Sequence, residues 1–209
     1  MTDTQSGARP VLVLGLGNLL LCDDAVGLRM LERLQRSEWS DTVDFVDGGT
    51  QGIALTGQFS GRRSVLVLDA VGLGMAPGTV HVLKCDEIAR MRARRGATSH
   101  EGNGLGLIEM ARLLGDLPDE VVVVGVEPAK VKTGIGLSPE IETGMERALV
   151  RAREILDAFC APESAPPTPL VPGGRARVAN FGEEQQPKRH HDPHPEQSPA
   201  PAGSSGEVR

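Results

Sequence analysis

Tyrosine is missing from these 209 residues, and the other aromatics are scarce, with four Phe and one Trp. A surface that stacks nucleic-acid bases needs aromatic side chains, and a net charge of −6 leaves no basic footprint for a phosphate backbone. The core must therefore be built from Val, Leu, Ile and Ala, which suits a sheet covered on both faces by helices. Cysteine is also sparse. Cys22, Cys85 and Cys160 are odd in number and lack metal-type spacing, which speaks against a disulfide framework or a zinc ribbon. No apolar run approaches the ~20 residues needed to cross a bilayer, and Met1 to Gly7 lack the apolar core of a signal peptide. These absences lead to the expectation of a reduced, cytoplasmic protein with neither a membrane nor a nucleic-acid partner. The one basic cluster, Arg90, Arg92, Arg94 and Arg95, reads as a solvated helix end.

Proline is unevenly placed. Ten of the fifteen prolines lie between Pro162 and Pro201, among Glu, Gln, Ser and Gly. Such a segment buries too little apolar surface to offset its ordering entropy, so the expected division is a domain over 1–160 and a Pro-rich disordered tail over 161–209. His190, His191 and His194 belong to that solvated tail.

The first 160 residues alternate strand and helix signals. Val11–Leu16, Ser64–Ala70 and Val121–Val126 are short continuous apolar runs, the mark of buried parallel strands. Val43–Val46 is a further strand. Thr79–Lys84 alternates and follows the turn Ala76-Pro77-Gly78, as an antiparallel edge strand would, with His81 pointing to solvent or packing locally. Helical spacing runs from Asp24 to Gln35, with Asp23 as N-cap, and over Gly52–Phe59 and Leu105–Leu114. A long stripe from Ile141 to Phe159 follows Ser138-Pro139, a cap with proline at the first helical position. The expected fold is α/β: three layers, α/β/α, around a twisted, mostly parallel five-stranded sheet with one antiparallel edge strand.

Three acid–base residues stand where strands give way to loops or helices: Asp24, Asp69 and His100. In an open α/β sheet the carboxyl ends of the strands line the ligand crevice. Two carboxylates and an imidazole converging there would suit a divalent metal such as Zn, Ni, Mn or Fe and leave positions open for an outside donor. No His-Glu-x-x-His helix and no Gly-x-Ser-x-Gly elbow is present, so neither an ordinary zinc protease nor a nucleophilic Ser99 is indicated. Cys22 has no cationic sequence neighbour to make it a reactive thiolate. Gly15-x-Gly17 lacks the third glycine of a dinucleotide fingerprint, Leu20 standing in its place.

Taken in order, Gly15-x-Gly17-Asn18-x-Leu20-x-x-Asp23-Asp24-x-x-Gly27, Asp47-Gly48-Gly49-Thr50-x-Gly52, Asp69-Ala70, and Pro77-Gly78-Thr79 resemble the [NiFe]-hydrogenase maturation proteases. So do His100 ahead of Gly104-Leu105-Gly106-Leu107, Val124-Gly125-Val126-Glu127-Pro128, and Gly136-Leu137-Ser138-Pro139. The resemblance implies an endopeptidase that removes a C-terminal extension from the hydrogenase large-subunit precursor once nickel is inserted. It implies catalytic and nickel-facing roles for Asp24, Asp69 and His100, nickel carried by the precursor, and no tightly bound cofactor. The family usually carries Glu where Asp24 stands, so reach is shorter here by roughly 1.5 Å, and Asp23 beside it is a candidate to share the role. Asp47 and its glycines either shape the substrate cleft or form a tight turn. Two other readings stay open: a docking or chaperone factor for the precursor that does not cut, and a nucleotide-binding α/β protein. A monomer is expected.

Overall fold

The computed structural model describes residues 9–37, 39, 41–95 and 103–161. Five strands form one sheet: β1 (Val11–Leu16), β2 (Val43–Gly49), β3 (Ser64–Ala70), β4 (Val80–Lys84) and β5 (Glu120–Val126), in the order β2-β1-β3-β5-β4. All neighbours pair in parallel except β4, which runs antiparallel to β5 at the edge. The helices are α1 (Val26–Gln35), α2 (Cys85–Arg95), α3 (Asn103–Leu114) and α4 (Pro139–Cys160), with 3-10 segments over Cys22–Ala25 and Gly52–Phe59.

Strand alternation sorts the core into two halves. Val11, Val13, Leu66, Leu68, Val122 and Val124 face α1 and α4; Leu12, Leu14, Val65, Val67, Val121 and Val123 face α2, α3 and the second 3-10 segment. The middle positions of the central strands are therefore continuously apolar, because both of their faces are covered. Leu12, Leu14, Leu66 and Leu68 are fully buried, each contributing about 1.5–3 kcal/mol relative to exposure. The fold is the three-layer α/β/α arrangement expected, antiparallel edge included.

Local differences have local causes. The helix expected from Asp24 begins at Val26 and is preceded by a 3-10 turn. Gly52–Phe59 is 3-10 rather than α. The basic cluster lies on the second half of α2. Among the described residues no helix is long and apolar enough to cross a membrane. The expected tail lies outside the described residues apart from Ala161, as does His100.

The chain leaves β1 toward β2 on one side and later lays β3 on the other. The point where the order reverses opens a crevice beyond the carboxyl ends of β1 and β3. Asp24 follows the first of these strands, and Asp69 is the penultimate residue of the second.

Candidate active site

Asp69 is held on a strand paired on both sides, and it is fully buried. Its Oδ1 accepts from the Ala70 amide at 2.8 Å and its Oδ2 from the Gly104 amide at 2.9 Å. Gly104 lies in the first turn of α3, where amides have no partner within the helix. A Cβ at Gly104 would stand 3.0 Å from Val67 and 3.2 Å from Asp69 Oδ2, so glycine lets the helix come this close. The Asp69 carboxyl is pushed up to about 7: burial is the main cause and the charge of Asp24 adds to it, while the two amides pull the other way.

Asp24 is half-buried, and its Oδ2 accepts from the Asn18 amide at 2.8 Å. Burial raises its pKa, and the Asn18 hydrogen bond opposes that rise. The loop carrying it turns tightly. Gly17 has φ +129°, and a Cβ there would lie 1.9 Å from the Asp24 carbonyl oxygen, so no other residue fits.

Asp23 has a different task. It is fully buried and accepts from the amides of Ala129 (3.1 Å), Lys130 (2.8 Å) and Ser138 (2.6 Å), and from the Ser138 hydroxyl (3.0 Å). It is neither an N-cap of α1 nor a second metal-facing carboxylate, since both oxygens are occupied in fastening the segment between β5 and α4. That segment also pairs with the Asp24 loop through the Leu21–Gly134 bridge, the Cys22 amide to Gly134 O (3.0 Å) and the Gly134 amide to Leu20 O (2.9 Å). Cys22 sits at φ +52° within these bonds, a conformation costing about 1–2 kcal/mol. Its Sγ would stand 2.7 Å from a Cβ at Gly134, so the thiol packs against the second loop.

Phosphate would find no welcome at Gly15-x-Gly17. Gly15 is part of β1, the Gly17 amide donates to Gly49 O at 3.0 Å, and the Asn18 amide is taken by Asp24. Asp47 Oδ1 accepts from the Gly49 amide at 3.0 Å within the last residues of β2, and the side chain is exposed.

One pair escaped the sequence reading. Of the two placements expected for His81, packing holds and exposure does not: it is buried, and its Nε2 lies 2.9 Å from Glu127 Oε2. Glu127 also accepts from the amides of Leu73 and Gly74, both at 2.8 Å, and so holds the loop after β3. The available signal was an acidic residue directly after the apolar run of β5, much as Asp69 stands near the end of β3.

The structure thus brings Asp24 and Asp69 together. No group of three metal-ligating side chains occurs among the described residues, and His100, the third expected donor, lies outside them. Two oxygen donors, one of them raised by burial to a pKa of about 7, suit a divalent cation.

The hydrogenase maturation protease family model matches residues 28–155, which includes Asp69 and His100 and begins just after Asp24. The chain is 36% identical over 152 residues to the hydrogenase expression/formation protein HupD of Thiocapsa roseopersicina, covering 71% of this chain and 68% of that one. It is 36% identical over 141 residues to the hydrogenase 2 maturation protease of Escherichia coli K12, covering 66% and 85%. Among solved structures it superposes on the hydrogenase maturating endopeptidase HybD from E. coli with TM-score 0.63 and 34% identity, over 72% of this chain and 93% of that one. For the [NiFe] hydrogenase maturation protease HybD from Thermococcus kodakarensis the values are 0.57 and 25%, over 70% and 98%.

Proposed function

The chain belongs to the hydrogenase maturation protease family, and from that premise we propose that it cleaves a C-terminal extension from a [NiFe]-hydrogenase large-subunit precursor after nickel insertion. The observation that carries this reading is the carboxylate pair at the crevice, in which the charge of Asp24 helps to hold Asp69 near a pKa of 7. Nickel arrives with the precursor and is part of the substrate. A divalent cation offsets the repulsion between the two carboxylates and favours the ionised form of Asp69. Asp24, Asp69 and His100 are assigned to face the metal and so to fix the precursor in register.

The peptide bond then lies beside the metal, whose charge polarises the scissile carbonyl toward attack by water. Asp24, the more exposed carboxylate, takes the proton from that water and passes it to the departing amine as the C–N bond breaks. Asp69, bonded to two amides, serves mainly to hold geometry and charge. Asp47 shapes the rim. The protein is assigned to the cytoplasm and acts as a monomer.

The test is a processing assay on the precursor with and without nickel, the C-terminus being read by mass spectrometry. Loss of a short peptide from the nickel-loaded form alone is expected. Binding without cleavage would make the protein a docking factor, and neither binding nor cleavage would overturn the reading.

A further inference from the structure

The large aliphatic side chains left exposed are not spread evenly over the molecule. Of the nine among the described residues, six lie in the segments that leave the carboxyl ends of the parallel strands: Leu19, Leu20, Ile53, Met75, Val131 and Ile135. Every parallel strand contributes at least one. Ile135 is 81% exposed and Leu20 62%. These loops border the sheet edge that carries Asp24 and Asp69. An apolar collar of this kind on a soluble domain marks a contact surface.

The collar is also tied to the carboxylates. Leu19 follows Asn18, whose amide bonds Asp24, and Val131 follows Lys130, whose amide bonds Asp23. Leu20 and Ile135 flank the Leu21–Gly134 bridge that joins the two loops. The aliphatic groups are therefore presented on backbone already fixed by hydrogen bonds. Lys130 and Lys132 flank Val131 as the polar rim such contacts usually have.

We infer that this collar docks the folded precursor itself, seating an apolar surface that surrounds a cationic centre. The charge pattern selects that occupant: acid at the middle, aliphatic side chains around it, so that the partner must present the complement. The inference rests on the function proposed above and adds how the partner is held.

The test compares Leu20→Ser/Ile135→Ser with Leu113→Ser/Leu114→Ser, a control on equally exposed leucines at the far end of α3. In processing of nickel-loaded precursor the collar variant is expected to raise KM at least about tenfold. Its kcat stays within twofold, and the control is unchanged. Melting temperatures are measured alongside; if serine lowers them, Leu20→Ala/Ile135→Ala serves in its place. An unchanged KM would overturn the collar while leaving the protease reading intact. Should the wild type not cleave, the affinity for precursor is measured. Weaker binding by the collar variant alone upholds the collar without the protease, whereas equal or absent binding overturns it. Self-association abolished by the collar variant would assign the face to a second copy and likewise overturn the inference.

Discussion

Asp24 and Asp69 meet as like charges across the gap between two neighbouring strand exits, and the ionised form of one opposes ionisation of the other. Among the described residues neither has a basic side chain as a hydrogen-bond partner; what both have is backbone amide, from Asn18, Ala70 and Gly104.

Stability should register that opposition. Asp69 titrates near 7 in the fold and near 3.8 as a free side chain. The folded state therefore holds a proton that the unfolded chain has released between those values. The stabilisation is complete below about pH 4 and lost as pH rises through about 7, a change of about 4 kcal/mol. Asp69→Asn cannot titrate and carries only a pH-independent cost from turning an NH2 toward an amide. Urea denaturation of both proteins from pH 4 to 8 should show the wild type losing ground to the variant across that range. A constant difference would mean that Asp69 ionises freely.

Removing the other partner separates charge from shape. Asp24→Asn should lower the pKa of Asp69, as read by carbon-13 NMR of its carboxyl, because the like charge is gone. The same variant should lose precursor processing by about a hundredfold or more, as expected for a catalytic acid–base group. Asp24→Glu should retain it, since the carboxylate remains and gains reach. Equal activity in Asp24→Asn would remove Asp24 from the machinery.

Asp23→Ala deletes the shared acceptor of three amides and a hydroxyl. Leaving those donors unsatisfied in a buried place should cost about 3–5 kcal/mol. Amide exchange at Ala129, Lys130 and Ser138 should accelerate beyond that of β3. Uniform acceleration everywhere would mean that the segment before α4 is not separately held.

How legible such features are in the sequence depends on the range of their causes. β1, β3 and β5 were readable because burial on both faces makes each run apolar throughout, and Asp69 stands out as a charge ending one of them. An alternating edge strand reads as half-solvated, which left open whether His81 points to solvent or packs. In a three-layer fold α2 and α4 reach over the edge, and the imidazole is covered and paired with Glu127. Asp23 looks like a helix cap because its true partners lie more than a hundred positions along the chain. α2 carried little apolar signal, with Ile88 its one fully buried side chain among those described.

Ending the chain after Ala161 should leave the melting temperature within about 2 °C and processing within twofold, because the described core closes with Phe159. Calorimetry and the processing assay check this together. A large loss in either would assign the Pro-rich segment a role in the domain.

The amides of the loop from Gly17 to Asp24 are answered almost without exception: Gly17 by Gly49, Asn18 by Asp24, Leu20 and Leu21 by Asn18, Cys22 by Gly134, Asp23 by Lys130, Asp24 by Leu21. A surface so fully braced has little configurational freedom left to surrender when a partner arrives. Encounter should then be limited by collision and orientation rather than by waiting for a loop to fold. Discrimination between a finished and an unfinished partner falls to how long the complex lasts.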